Sequence, residues 1–235
     1  MKKIIFTLIA ILATGLTSQI KAQEFFDTSE VSKLFTFGAR LGFNTSNRSF
    51  PSGNYINYTK TSWGLGFNVG VVANMNFKEY LSLQPGFFFQ SRNSSLVNIV
   101  DYYPKGEVMT YPRTHYEVND IHSYYFTIPV MAIVKFNIAE RIKWNVEAGP
   151  YFQFSLKETG SNNIQMLSLN DLTLSYDQYL AEHKKTDVGI KLGTALTFYS
   201  HYYVGVHYMA GILNAWKVPT GGKNKCWEFT LGYEF

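Results

Sequence analysis

The side chains best suited to acid–base chemistry in this chain are its five histidines, His115, His122, His183, His201 and His207. Four of them fall in segments that we predict to be loops or turns, where a solvated histidine is the usual outcome. His207 falls on the polar face of a predicted strand, where hydrogen bonding to its neighbours is the simpler interpretation. The positions of the histidines therefore indicate no catalytic site.

Motifs for metal or hydrolytic chemistry are also missing from the sequence. No two histidines are four residues apart, no G-x-S-x-G turn occurs, and Cys226 is the single cysteine. A lone cysteine cannot form an internal disulfide, so we interpret Cys226 as a packed thiol. A lipid-modifying site would need a histidine, a hydroxyl and an orienting acid within hydrogen-bond reach, and the sequence shows no such triple. We predict no enzyme activity, no cofactor and no metal.

The first 22 residues have the features of a secretory signal peptide. Lys2 and Lys3 precede an apolar run, Ile4 to Ala13, which is too short to span a bilayer as a helix. We predict cleavage after Ala22 and a periplasmic lead over residues 23–33. Without the signal peptide the chain has 18 basic and 17 acidic residues, a balance that argues against a nucleic-acid partner.

The last stretch, Lys225 to Phe235, shows a pattern that recurs through the chain. Apolar and aromatic residues alternate with polar or small ones, and successive side chains of a strand point to opposite faces. Each such segment therefore has one apolar and one polar face. We predict eight strands within residues 34–235. They cover residues 35–44, 63–77, 80–91, 124–137, 144–156, 187–198, 202–212 and 225–235.

Long and short connections alternate between these strands. Short turns are predicted near residues 78–79, 139–141 and 200–201. The predicted loops cover residues 45–62, 92–123, 157–186 and 214–225. This arrangement predicts an all-β fold, an eight-stranded antiparallel up-and-down transmembrane β-barrel with short periplasmic turns and long extracellular loops. A soluble β-sandwich or lipocalin-like barrel is the alternative, but the Gly-rich polar face suits a crowded lumen better than a wet exterior.

Four sequence blocks resemble a known family. They are L-S-L-Q-P-G (81–86), Y-F-T-I-P-V-M-A-I-V-K-F (125–136), E-A-G-P-Y-F (147–152) and the closing F-T-L-G-Y-E-F. Together they resemble the outer-membrane β-barrel family of Bacteroidetes, called PorT-like or "porin family". The resemblance implies a barrel in the bacterial outer membrane without catalytic residues. One branch of that family takes part in protein secretion, which implies a role as an accessory subunit.

Charged residues on the polar faces are expected to point into the barrel. If the turn after the fourth strand is centred on Arg141, Lys135 and Glu147 face each other and form an ion pair. Similar depths from the chain's periplasmic ends predict a second pair, Arg40–Glu228, across the closing strands. The inward charges are Arg40, Lys135, Glu147, Asp187, Lys191, Glu228 and Glu234, nearly balanced in sign.

The strand count also limits the function. About eight strands enclose an interior that side chains just fill, whereas wide aqueous channels need about sixteen. Possible contacts with a partner are the loop tyrosines Tyr102, Tyr103, Tyr111 and Tyr116, although they can equally pack onto the rim. We predict a structural or interaction role, as a surface binder, an envelope scaffold or an accessory subunit of a secretion or export assembly, in contact with outer-membrane lipid and protein partners. A small-barrel outer-membrane lipid-modifying enzyme and a narrow passive pore are the alternatives.

Overall fold

The structure, a computed structural model, describes residues 25–49, 60–102, 113–164, 184–214 and 222–235. Each strand pairs antiparallel with the next, and β8 pairs with β1, so the sheet closes into an eight-stranded barrel. The predicted fold class and topology are confirmed. The strands are β1 (Phe35–Ser49), β2 (Lys60–Lys78), β3 (Leu81–Tyr102), β4 (Arg113–Ala139), β5 (Ile142–Ile164), β6 (Thr186–Phe198), β7 (Tyr202–Asn214) and β8 (Lys223–Glu234).

The alternating side chains divide into an exposed apolar wall and a buried polar interior. Val69 is 48% exposed and Leu231 is 55% exposed, whereas their neighbours Asn68 and Thr230 are 2% and 5% exposed. This is the reverse of a water-soluble barrel, and an exposed apolar surface of this extent marks contact with another apolar phase. The wall therefore faces lipid, and the predicted assignment of the two faces is confirmed.

Three short turns close one end of the barrel, which we call the turn end; the opposite end is the mouth. In the third turn the His201 N–H donates to the Phe198 carbonyl at 3.0 Å. The two residues between them, Tyr199 and Ser200, have φ of 52° and 59°. Positive φ at both central positions is the type I′ geometry, whose twist matches that of the flanking strands. Within the described residues no helix is long and apolar enough to cross a membrane.

Strands β3, β4 and β5 are much longer than the sequence pattern predicts. β4 has 27 residues, about 90 Å at roughly 3.3 Å per residue, whereas a membrane crossing needs about 9–11. Pairing between β3 and β4 continues from Arg92–Ser123 to Tyr102–Arg113, and β5 follows β4 as far as Ile164. We call residues 92–102, 113–123 and 157–164 the projecting sheet.

The projecting sheet corrects the predicted loop boundaries. Most of the predicted loop 92–123 is strand, and so is the first part of the loop 157–186. Tyr102 and Tyr116 therefore lie in β3 and β4 instead of a loop, while Tyr103 and Tyr111 lie outside the described residues. The predicted loops 45–62 and 214–225 are also shorter, because β1 continues to Ser49 and β8 begins at Lys223.

The residues before β1 pack against the barrel as an N-terminal strap, residues 25–34. The ring of Phe25 lies 4.9 Å from that of Phe136, and Phe26 lies 5.1 Å from Phe136 and 5.8 Å from Tyr80, between ring centroids. The Ser32 N–H donates to Glu79 Oε1 at 3.0 Å. The strap thereby joins the start of β1 to the β2–β3 turn and to the outer wall of β4.

Attachment of the strap is expected to weaken in acid. Partial burial acts to raise the pKa of Glu79, but the Ser32 N–H and the Lys143 ammonium outweigh burial and hold this pKa below its usual value. A carboxyl with a depressed pKa contributes stability at neutral pH that is lost as the pH falls through the folded-state pKa. Because Lys143 and Glu79 are partly exposed, solvent screening limits the loss to about 1 kcal/mol or less.

Hydrogen exchange of residues 25–34 measures this effect. Protection of the strap should fall between pH 7 and pH about 4, and Glu79→Gln should show the lower protection already at pH 7. Glu30→Gln changes an exposed carboxyl of the strap itself and should resemble the unmodified chain. Equal strap protection in Glu79→Gln and the unmodified chain at both pH values would contradict the assignment of Glu79 as the attachment point.

Candidate functional site

The candidate site is the lumen, where buried charges lie at three depths. At the turn end Arg40 forms an ion pair with Glu234, and its guanidinium carbon lies 3.9 Å from the ring centre of Tyr203. The same carboxylate accepts from Asn74 Nδ2 at 3.0 Å, and Gln84 Nε2 donates to Asn74 Oδ1 at 2.6 Å. Four strands, β1, β2, β3 and β8, are thus joined across the lumen by one polar network.

The middle of the lumen is organised around Glu228, which is 1% exposed. Lys191 Nζ donates to its Oε2 at 2.6 Å and Gln90 Nε2 donates to its Oε1 at 2.5 Å. Arg92 Nη2 lies 4.0 Å from Oε1 and donates to Gln90 Oε1 at 2.7 Å. We call these four residues the Glu228 cluster. Within this cluster one buried carboxylate contacts two cations that water barely reaches.

A histidine, a hydroxyl and an acid also meet in the lumen, as the His207 triple. His207 Nε2 lies 2.8 Å from Glu147 Oε2 and 3.2 Å from the Tyr203 hydroxyl, which donates to Glu147 at 3.0 Å. Opposite them, Gly193 leaves the space that the imidazole occupies, since a Cβ at this position would overlap the ring of His207. The sequence pattern did not indicate this triple, although His207 and Tyr203 are both inward residues of β7 and Glu147 was predicted to be inward.

The geometry of the His207 triple differs from that of a catalytic relay. In a relay the acid holds one ring nitrogen and the nucleophilic hydroxyl contacts the other. Here both the carboxylate and the hydroxyl contact Nε2, and Nδ1 has no hydrogen-bond partner among the residues that the structure describes. His207 and Tyr203 are 3% and 4% exposed. The triple therefore acts as a buried hydrogen-bonding unit that joins β5 to β7.

At the mouth Arg48 and Glu158 form a bidentate ion pair, with N–O distances of 3.1 and 2.6 Å. Arg48 also donates to the Tyr125 hydroxyl at 3.4 Å, and Ser123 Oγ donates to Glu158 at 2.9 Å. Sequence analysis placed Arg48 and Glu158 in loops, where they were not considered as lumenal residues. Extending the alternation of β1 by four residues would have found Arg48, which has the inward parity of Arg40 and Asn44. Glu158 has the parity of the outward Leu156 and faces the lumen only because the β4–β5 register shifts by one residue between Ser155 and Lys157, which alternation does not predict.

The two predicted cross-strand ion pairs, Arg40–Glu228 and Lys135–Glu147, do not form in the structure. The β1–β8 register places Gly232 opposite Arg40 and Asn44 opposite Glu228, so Arg40 reaches Glu234 instead. Lys135 is opposite Asn145, and its Nζ donates to Asn76 Oδ1 at 3.0 Å.

The error at the β4–β5 turn has a simple origin. The turn is centred one residue before Arg141, and moving the centre of an antiparallel turn by one residue moves the pairing by two. Glu147 is consequently opposite Ile133 and interacts with His207 instead of Lys135.

The other predicted lumenal residues point inward, but their interaction partners differ from those predicted. Lys191 pairs with Glu228, and Asp187 accepts from Asn224 Nδ2 at 2.9 Å and from the Tyr151 hydroxyl at 3.5 Å. Cys226 is fully buried, which confirms the packed thiol.

Two predicted loop histidines belong to a strand. His115 and His122 both lie in β4, and His122 Nδ1 is 3.0 Å from Asn93 Oδ1. Within the described residues no group of three histidine, cysteine or acidic side chains could hold a metal.

Two cavities between the lumenal side chains are small. One cavity at the mouth, lined by Arg48, Arg92 and Ser123, and another in the middle, lined by Glu147 and His207, each measure about 10 Å³. A cavity of roughly 10–15 Å³ holds about one water molecule. This volume suits isolated waters bridging polar groups better than a solute path.

Comparisons with known proteins agree with this architecture. The sequence matches the family described as "Outer membrane protein beta-barrel domain" over residues 18–216. No curated protein matches it.

Three solved structures are similar in fold alone. OprG from Pseudomonas aeruginosa is 12% identical with a TM-score of 0.45, and the match covers 86% of this chain and 97% of OprG. Neisserial surface protein A is 13% identical with a TM-score of 0.43, covering 84% and 95%. Ail from Yersinia pestis, solved with the heparin analogue sucrose octasulfate, is 13% identical with a TM-score of 0.42, covering 86% and 100%.

Proposed function

Since the chain belongs to the outer membrane protein β-barrel domain family, we propose that it is a structural or interaction protein of the bacterial outer membrane. Its barrel is small, with eight strands. The observation that carries the proposal is the filled lumen, closed at three depths by the Arg40–Glu234 pair, the Glu228 cluster and the Arg48–Glu158 pair. In this function the barrel is a rigid anchor, and the activity resides in what it presents to other molecules.

Planar-bilayer recordings distinguish the anchor from a narrow pore. The reconstituted protein should show no steady conductance, because an open path would require buried ion pairs to separate. A double variant, Lys191→Ala with Glu228→Ala, removes both members of one pair and widens the middle of the lumen. Conductance in this variant alone would show that the recordings detect a lumenal path, whereas a stable open channel in the unmodified protein would contradict the proposal.

The projecting sheet is the part that we propose contacts a partner. Pairing of β2 with β3 ends at Lys60–Val97, and pairing of β6 with β5 begins at Phe154–Thr186. Within the described residues the outer portions of β3 and β5 thus pair only with β4. Strand edges of this kind accept a further strand from a partner chain. Together with the resemblance to PorT-like barrels, this supports an accessory role in an envelope or secretion assembly.

Mild-detergent purification from the native envelope tests the partner. Asn98 and Glu117 are directly paired, so residues 99–116 can be replaced by Asn-Gly, a sequence that closes two-residue hairpins. We expect stoichiometric subunits to co-elute with the unmodified chain and to be lost with this shortened hairpin, while the barrel itself remains folded. A barrel that elutes alone in both forms would contradict the interaction role.

The lipid-modifying enzyme is the second candidate, because the His207 triple contains the residue types that such an enzyme needs. Its burial and the use of one ring nitrogen for both contacts argue against it. Incubation of the reconstituted barrel with labelled outer-membrane lipids should yield no deacylated or acylated product. Product that forms with the unmodified chain and disappears with His207→Gln would establish the enzyme instead.

A further inference from the structure

Four lysines lie at the mouth of the barrel, and we call them the lysine rim: Lys157, Lys185, Lys223 and Lys225. The first three are exposed, and Lys225 is half-buried. Lys185 is next to β5, because its carbonyl accepts the N–H of Ser155 at 2.7 Å. The rim therefore extends over the neighbouring strands β5 to β8.

In the part of the chain that the structure describes, the acidic residues next to the rim lysines, Glu158 and Asp187, point into the lumen. Glu158 follows Lys157 directly, but alternation turns it into the lumen, where it pairs with Arg48. Asp187 is likewise inward and 6% exposed. Among the ion pairs of the described residues, none involves a lysine of the rim. Within the described residues, the outer surface of this sector consequently carries lysines without an acidic partner.

The opposite end of the barrel has a different charge pattern. The turns there combine Lys78 with Glu79 and Glu140 with Arg141, and Lys143 pairs with Glu79 at 3.4 Å. Positive and negative charges thus neutralise one another at the turn end. The excess of lysine is therefore found on the mouth side of β5 to β8 and not at the turn end.

The depth of the rim points to lipid headgroups. On β8 the apolar outward residues run from Trp227 to Phe235, nine residues, which matches the roughly 9–11 residues of one membrane crossing. Lys225 and Lys223 are the next two outward positions beyond Trp227, and Lys157 follows the exposed Leu156 on β5. Side chains at this height lie where the apolar phase ends and headgroups begin.

We propose that the lysine rim binds the phosphate groups of outer-leaflet lipids. Lysine is a common phosphate ligand because its ammonium is a compact charge on a flexible stem. A basic residue near an anionic membrane surface increases binding about fivefold. The proposal goes beyond the anchor function and needs no protein partner, since the ligand is the membrane itself.

The test is lipid binding to the purified full chain in neutral detergent, with phosphorylated lipid A, dephosphorylated lipid A and phosphatidylglycerol as probes. The variant Lys157→Gln with Lys223→Gln removes two charges from the rim. Lys33→Gln with Lys78→Gln removes two exposed charges near the turn end and is the matched control. All four residues are outside the lumenal network, so both variants are expected to fold, which a gel-mobility assay of the heat-resistant barrel confirms.

The unmodified chain should bind phosphorylated lipid A more tightly than the dephosphorylated form. The rim variant should lose roughly 25-fold at low salt, about fivefold for each lysine, and less at high salt, where screening is stronger. The control variant should retain binding. Equal binding of phosphatidylglycerol would show that the rim recognises phosphate on any headgroup, and weaker binding would assign it to the glycolipid. Equal affinity for the two forms of lipid A, or equal losses in both variants, would overturn the proposal.

Discussion

Replacing Glu228 by glutamine should lower the free energy of unfolding by about 3–5 kcal/mol, the range found when one partner of a buried ion pair is removed. Glutamine keeps the shape of the side chain and can still bond to Gln90, so the change removes the charge alone. Lys191 and Arg92 would then lie in the middle of the lumen without the carboxylate that compensates them. Urea unfolding of the protein in lipid vesicles, followed by tryptophan fluorescence, measures this loss.

Two comparisons separate this effect from a general sensitivity to mutation. Glu140→Gln changes an exposed carboxyl in the β4–β5 turn and should alter stability by no more than about 0.5 kcal/mol. Glu228→Gln combined with Lys191→Met removes one of the two stranded cations and should recover part of the loss. If Glu228→Gln and Glu140→Gln unfold at the same urea concentration, the Glu228 cluster does not stabilise the barrel.

The inward position of these charges could be predicted because alternation is a local property of the chain. Two residues of the same parity on one strand share a face unless a bulge lies between them, as one does between Leu156 and Glu158 on β5. Parity correctly placed five charged residues in the lumen: Arg40, Glu147, Asp187, Lys191 and Glu228.

Partners could not be predicted in the same way, because register depends on turn geometry. A one-residue error in the centre of the β4–β5 turn was enough to separate Lys135 from Glu147. Long side chains then reach past the directly opposed position, as Lys191 does when it crosses from β6 to Glu228 on β8.

The strands of the projecting sheet could not be predicted from the sequence, for a different reason. Beyond the membrane both faces of a strand meet polar surroundings, so the period of two disappears. Asn93, Ser95 and Asp120 are polar residues of paired strands, and Ser95 Oγ donates to Asp120 at 2.5 Å. Backbone pairing between β3 and β4 continues through these polar positions. Arg48 lies four residues past the predicted end of its strand, and Glu158 lies just past a register shift in β5, so the pattern within the predicted strands did not indicate the Arg48–Glu158 pair.

The apolar wall leads to the second large expected effect, at Val69. This residue is 48% exposed, lies near the middle of β2, and is paired with Leu41 on β1 and Phe89 on β3. Val69→Arg places a guanidinium near the bilayer midplane, which should cost about 2–4 kcal/mol. The fraction of protein that folds into lipid vesicles, read from the mobility of the unheated barrel on a gel, should fall accordingly.

Val69→Phe is the matched control, since it enlarges the same side chain without adding charge. Lipid accommodates a larger apolar group on this wall, so this variant should fold as the unmodified chain does. The cost of a guanidinium on the outer wall also depends on its depth in the bilayer. Lys157→Arg changes a side chain at the lysine rim, beyond the apolar belt, and should leave the folded fraction unchanged. If Val69→Arg folds as efficiently as Val69→Phe, water and not lipid contacts this wall, and the barrel does not span the membrane as described.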